Sequence, residues 1–252
     1  MKIKNWFRFL FVTITASGFC QNNSNYKAAK EKTHDLIHTK LKVDFNFEEK
    51  QLNGEAWITA KPHFYASGTF VLDAKAMLFR EVSLNGKKVE YDYDDAKITI
   101  KLPKKYTKEE AFTVYLKYIA RPEKVKEKGS AAITAAKGLY FINADGSDKN
   151  KPTQIWTQGE TEGSSCWFPT IDAPNQKSTQ EIYITVPKKY VTLSNGALIS
   201  QIYQETTRTD YWKMDQKHAP YLFFLGVGVF EIIKDVYKDI DCLLYTSDAA
   251  DE

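Results

Sequence analysis

The chain has 252 residues, 43% hydrophobic, 27% charged and 14% aromatic, a composition of globular proteins that excludes disordered and fibrous classes. Its 35 Lys and Arg stand against 32 Asp and Glu, but Lys2, Lys4 and Arg8 fall in the first twenty residues, which carry no acid, so the body balances at 32 to 32. A neutral body whose Lys pairs are scattered at Lys87-Lys88, Lys104-Lys105 and Lys188-Lys189 lacks the basic stripe of a nucleic-acid binder, so no nucleic-acid partner is expected. Cys20, Cys166 and Cys242 cannot make a disulfide framework and show no paired zinc spacing.

The first segment reads as a leader. A basic start precedes the apolar run Phe9 to Phe19, too short to span a bilayer, which takes about 20 helical residues. Gly18 and Cys20 satisfy the small-residue rule for cleavage before Gln21, whereas lipidation of Cys20 would place bulky Phe19 just before the modified thiol. Residues 1–20 are therefore expected to be a signal peptide, and the mature protein exported to the periplasm or the cell exterior. Tyr26 to Lys32 reads as helical. From Asp35 onward period-two alternation sets in (Leu41, Val43, Phe45 against Lys40, Lys42), the pattern of a half-buried strand. It recurs at Gly54 to Thr59, Phe70 to Leu72, Val82 to Leu84, Lys97 to Leu102, Phe112 to Ile119, Glu181 to Val186 and Tyr190 to Leu193. Asn85-Gly86 is a tight hairpin turn, with Val89, Tyr91 and Tyr93 expected on its far side. Glu123 to Ala136 reads as a polar, poorly structured insert, and Tyr221 to Ile233 as a single buried strand too short and glycine-broken to span a membrane. Short strands at this spacing predict an all-β fold, a saddle-like β-sandwich of mostly antiparallel sheets.

Most chemical constellations dissolve on inspection. His34 and His38 imitate the His-Glu-x-x-His zinc pair, but on a strand four residues separate the rings by about 13 Å. His63 and His218 have no partner at ligand spacing. Gly226-Val227-Gly228 lacks the third glycine of a dinucleotide loop and reads as a bulge or close strand packing. Cys166, with no histidine base in view, reads as a buried thiol beside Trp167. If Ile155 to Glu162 is a strand, Glu160 and Glu162 share a face about 7 Å apart, a pairing that glycoside hydrolysis could use and that two solvated acids explain as well. A third account takes the Trp156 and Trp167 region as the stacking surface of a non-catalytic β-sandwich module for carbohydrate or protein. Open rings favour that account, buried rings disfavour it.

Thr157-Gln158-Gly159-Glu160-Thr161-Glu162-Gly163, followed by Trp167-Phe168-Pro169-Thr170-Ile171-Asp172-Ala173-Pro174-Asn175-Gln176-Lys177, resembles the signature of zinc aminopeptidases of the aminopeptidase N and leukotriene hydrolase type. The resemblance runs from about Thr33 to Lys234. It implies a β N-terminal domain, over residues 21–241, that packs on a separate thermolysin-like catalytic domain. It also implies that Glu160 binds the free α-amino group of a peptide substrate and that Gln158 lines the pocket for the first side chain. Asp172 and Pro174 would hold a turn, and Glu162 receives no catalytic role. A fixed carboxylate suits an ammonium taken from water, because charge-assisted hydrogen bonds exceed neutral ones, and it rejects blocked termini. Ala173 stands where the family usually has Glu. The chain contains neither His-Glu-x-x-His nor Gly-x-Met-Glu-Asn, so the zinc of the full-length parent has no ligands here and the chain alone is expected to be inactive. Residues 242–252 neither continue the strand pattern nor resemble the family. They read as translated adapter sequence joined to a truncated chain.

Overall fold

The computed structural model describes residues 30–126 and 136–246. The leader and most of the expected helix at Tyr26 to Lys32 lie outside them, and the last three residues of that helix, Lys30 to Lys32, are not helical. Most of the insert, residues 127–135, also lies outside, preceded by a single short 3-10 turn, Pro122–Lys124.

Along the chain the strands are β1 (His34–Asn46), β2 (Gln51–Pro62), β3 (Ser67–Asp73), β4 (Met77–Leu84), β5 (Lys87–Lys88), β6 (Tyr91–Tyr93), β7 (Lys97–Tyr106) and β8 (Phe112–Ala120). They continue as β9 (Leu139–Ile142), β10 (Gln154–Thr157), β11 (Ser178–Pro187), β12 (Val191–Ser194), β13 (Ala197–Tyr203), β14 (Thr207–His218), β15 (Leu225–Gly228), β16 (Glu231–Tyr237) and β17 (Ile240–Thr246). An eight-stranded sheet runs in the order β13-β14-β11-β1-β2-β8-β4-β5, beside a four-stranded sheet β12-β15-β10-β9, a three-stranded sheet β3-β7-β6 and the hairpin β16-β17. All pairs are antiparallel except β1 with β11. The expected all-β, mostly antiparallel sandwich is the observed fold. One core joins the sheets: Leu41, Ala56, Ile58, Leu116 and Ile184 from the large sheet, Phe70, Leu72, Ile98 and Ile100 from the three-stranded sheet, and Ile155, Leu225 and Val227 from the four-stranded sheet, all fully buried. Burying the Val, Leu, Ile and Phe side chains among these stabilises the fold by roughly 1.5–3 kcal/mol each.

Four local departures from the sequence pattern have physical causes. In β1 the inward phase passes from Leu36 to Thr39 and Leu41, because the register shifts between Leu36 and His38. An extra residue turns alternate side chains to the other face. The backbone groups freed there are taken by the buried Gln176: its Oε1 accepts the Leu36 N–H at 3.0 Å and its Nε2 donates to the His34 carbonyl at 2.8 Å. Asn85 and Gly86 adopt φ of 52° and 76°, the left-handed pair of a type I′ turn, but only Lys87, Lys88 and Val89 answer β4 beyond it. Tyr91 and Tyr93 pair with β7 in the three-stranded sheet instead.

The single strand expected from Tyr221 to Ile233 is three elements: the 3-10 turn Pro220–Leu222, β15, and, after a break at Val229-Phe230, the wholly exposed β16. Gly226 and Gly228 do mark close packing, since a Cβ at Gly228 would meet the Phe230 ring at 2.6 Å and one at Gly226 the Phe224 ring at 3.2 Å. Cys242 to Thr246, expected outside the strand pattern, complete β17, with Cys242 opposite Asp235.

Candidate functional site

β10 lies between β9 and β15, with Ile155 and Thr157 turned inward and Trp156 stacked on Tyr140 at 4.6 Å. The strand stops at Thr157, which corrects the expected strand from Ile155 to Glu162. The alternation continues in sequence, but the backbone is diverted: Gln158 N–H donates to the Gly138 carbonyl at 2.9 Å and Gly163 N–H folds back onto the Gly159 carbonyl at 2.8 Å. Gly159 lies flush against the neighbouring turn, so that a Cβ there would sit 2.2 Å from the Tyr221 carbonyl oxygen. Residues 160–163 form a turn leading into the 3-10 segment Ser164–Cys166. The Glu160–Thr161 peptide bond is cis.

A second layer holds this turn from below. Lys75 Nζ donates to the Glu162 carbonyl at 2.9 Å and Lys75 N–H to the Ser165 carbonyl at 2.8 Å. Ser165 N–H donates to Asp172 Oδ2 at 2.8 Å, and Asp172 N–H to Asp73 Oδ2 at 3.0 Å. Asp73 and Thr170 exchange backbone hydrogen bonds in an isolated bridge. Asp172 thus works inside the scaffold as a buried turn-holder, while Pro174 is exposed. Sequence reasoning missed Asp73 and Lys75, because the link runs across about ninety residues of chain and nothing near Asp73 announces it.

Burial raises the Asp172 carboxyl to about 6, opposed by its hydrogen bonds from Ser165 and by Lys75, with Asp73 adding to the rise. A carboxyl raised above its unfolded value of about 3.9 contributes stability that is complete below that value and lost as pH rises through about 6. Asp172→Asn should remove that slope. Urea titrations at pH 4 and pH 7 should show the wild type losing about 1–3 kcal/mol relative to the variant over that interval, and identical pH slopes would contradict the assignment.

The two residues singled out from the sequence come together. Gln158, half-buried, and Glu160, exposed, line one open concavity of about 300 Å³ with Thr157, Gly159, Tyr221, Leu222, Phe223 and Phe224. Among the described residues neither side-chain end has a hydrogen-bond or ion-pair partner, so both are free to meet a ligand. Glu162 is placed differently: it sits within the turn, half-buried, above Lys75. The strand face that would have paired it with Glu160 does not exist, so the glycosidase account loses the geometry it was argued from.

The aromatic-platform account also loses one of its two rings: Trp156 stays half-buried against Tyr140, but its companion is closed off. Trp167 is fully buried, edge-on to Phe168 at 4.4 Å, and Phe168 stacks on Phe223 at 5.1 Å. Cys166 is buried with its thiol toward the Ala136 carbonyl. The histidines are dispersed among separate partners. His34 packs edge-on to Phe70, His38 Nδ1 meets Thr179 Oγ1 at 2.7 Å, His63 Nδ1 meets Asp35 Oδ2 at 3.0 Å, and His218 Nε2 meets Gln180 Oε1 at 3.0 Å. Burial lowers the pKa of His34, His38 and His218.

Residues 24–222 match the family profile described as the Peptidase M1 N-terminal domain. The chain belongs to that family. An M1 zinc metallopeptidase from Deinococcus radiodurans superposes with a TM-score of 0.71 at 19% identity, over 81% of this chain and 44% of that one. Legionella pneumophila aminopeptidase A, solved with aspartic acid, gives 0.68 at 20% identity over 88% and 25%. Among curated relatives, the tricorn protease-interacting factor F2 of Thermoplasma acidophilum is 32% identical over 107 residues, 42% of this chain and 13% of its own length. Probable aminopeptidase 2 of Sulfurisphaera tokodaii is 26% identical over 204 residues, 81% and 23%. This M1 N-terminal domain chain therefore spans only a minor part of the curated relatives it matches. The zinc implied by the M1 family does not fit the donors present: among the described residues no three His, Cys, Asp or Glu side chains form a group that could hold a metal.

Proposed function

We propose that this chain is the substrate-recognition domain of an exported M1 zinc aminopeptidase that removes N-terminal residues from peptides. In this reading residues 1–20 are a cleaved leader, residues 21–241 the β domain, and residues 242–252 a foreign tail whose first five residues close the last hairpin. Zinc and the hydrolytic groups belong to a catalytic domain absent from this chain. Glu160 binds the α-ammonium of the substrate and Gln158 shapes the pocket for the first side chain.

The observation that carries the reading is the exposed carboxylate of Glu160, without a partner among the described residues, on a turn held from two sides, at the rim of a concavity it shares with Gln158. A carboxylate held in place before the ligand arrives loses little freedom on binding an ammonium. The relatives supply the chemistry: the E323A mutant of the Deinococcus metallopeptidase has been solved with a Tyr-Ser-Ala substrate and a two-domain M1 zinc metallopeptidase E323A mutant with L-arginine, ligands that share an α-amino group with the aspartic acid of the Legionella structure. In the full-length peptidase, Glu160→Ala should raise KM for free-amine peptides by about 10- to 100-fold, the range of a lost charge-assisted hydrogen bond. Steady-state kinetics with free and N-acetylated peptides check this, and an unchanged KM removes Glu160 from the role.

A further inference from the structure

The concavity beside Glu160 carries more chemistry than an ammonium anchor. Of the residues lining it, Glu160 alone brings a charge at neutral pH. Its opposite wall is apolar: Leu222 is 48% exposed, Tyr221 and Phe224 are half-buried, and Phe223 closes the floor against Phe168. That wall is built rather than loose. Ser164 Oγ donates to the Pro220 carbonyl at 2.7 Å, Asn195 Nδ2 to the Leu222 carbonyl at 3.0 Å, and Asn195 Oδ1 accepts the Phe224 N–H at 2.7 Å. Ser194 Oγ donates to the Phe224 carbonyl at 2.7 Å. With these carbonyls and the Phe224 N–H taken from behind, what the segment offers outward is apolar side chain. The bare backbone of Gly159 lets it approach to contact with the segment bearing Glu160.

We infer that this concavity selects an uncharged, apolar side chain on the first residue of the ligand, with Leu222 and Tyr221 setting the preference. The inference rests on the reading of Glu160 as the ammonium anchor. An apolar side chain directed across from the anchored ammonium covers Leu222 and gains from the apolar area removed from water. An acidic side chain in the same place loses its hydration against Leu222 and stands beside the Glu160 carboxylate, a like charge that opposes it.

The test uses the chain itself, isotopically labelled, and amide shifts read during titration with leucinamide, the α-amide of glutamic acid and N-acetylleucinamide. Leucinamide should shift the amides of residues 158–160 and 222–224 and bind at least about tenfold more tightly than the glutamic acid amide. Leu222→Lys should bring that ratio to unity or below, and Leu222→Gln, a milder change at the same exposed position, should lower it without reversing it. Equal binding of the two amides by the wild type, shifts elsewhere on the domain, or a ratio untouched by both variants would overturn the inference. Glu160→Gln separates this from the anchor: it should abolish the preference for leucinamide over N-acetylleucinamide. If it does so while Leu222→Lys leaves the side-chain ratio fixed, the subsite fails and the anchor stands; if only the ratio moves, the subsite stands and the anchor fails.

Discussion

Gly159→Ala should destabilise the domain by about 3 kcal/mol, the upper part of the range for forcing extra volume into packed structure. The added methyl would lie 2.2 Å from the Tyr221 carbonyl oxygen and 2.7 Å from the Tyr221 Cα. These are backbone atoms, fixed by the hydrogen bonds that Ser164 and Asn195 make to the carbonyls on either side of Tyr221, and they cannot rotate away as a side chain would. Relief requires the Glu160 turn and the Tyr221 segment to separate, so the variant should also lose the amide shifts expected from leucinamide. Gly86→Ala is the internal control. Gly86 has φ of 76° with nothing within 4 Å of a Cβ, so its cost is conformational alone, about 1–2 kcal/mol. Urea denaturation of the three proteins decides, and a Gly159→Ala value within about 0.5 kcal/mol of wild type would mean that the close approach does not hold the site.

Asp210→Ala should cost about 3–5 kcal/mol, the penalty for leaving a buried charge without its partner. Asp210 is 1% exposed and Arg208, two residues along β14, is 8% exposed. Arg208 Nη2 donates to Asp210 Oδ2 at 2.9 Å and to the Tyr190 carbonyl at 3.0 Å, while Nε lies 2.8 Å from Asp210 Oδ1 without the alignment of a hydrogen bond. Thr192 Oγ1 donates to Oδ2 at 2.6 Å and Gln201 Nε2 to Oδ1 at 3.0 Å; Trp212 Nε1 in turn donates to Thr192 Oγ1. The network ties β12, β13 and β14 through one carboxylate, so truncating it strands three donors. Replacing both ions, as Arg208→Met with Asp210→Leu, should cost less than Asp210→Ala alone, because paired removal leaves no uncompensated charge. Denaturation midpoints at constant slope measure both, and a double variant no more stable than Asp210→Ala would show that the loss does not come from a stranded partner charge.

The network at Asp210 also marks where sequence reading stops. A Thr, a Gln, an Arg and an Asp on three strands carry no local signal that they share a carboxylate. The strand pattern, by contrast, was legible because alternation needs only the residues of one strand and a sheet that faces water on one side. Asn85-Gly86 was legible for the same local reason, since few residues accept left-handed φ at both positions. Leu36 and Thr39 show the limit: the phase of β1 changes at a bulge whose freed backbone groups are satisfied by Gln176, about 140 residues away. Gln176 belongs to the signature read as a turn, and its use as a backbone clamp is visible only in space.

From sequence alone came a neutral all-β body, the M1-like signature, and Gln158 and Glu160 as the pair to watch. Tertiary structure decided which carboxylate faces solvent and what stands beside it. Gln154, Trp156, Gln158, Glu160 and Glu162 alternate without interruption, so a local rule treats the two glutamates alike. Gly159 against Tyr221 and Lys75 beneath the Glu162 carbonyl break that equivalence. Glu160 is left exposed at the rim of the concavity and Glu162 half-buried within the turn. Period-two patterning records which residues prefer water, whereas the path of the backbone between them is fixed by hydrogen bonds and contacts from segments far along the chain.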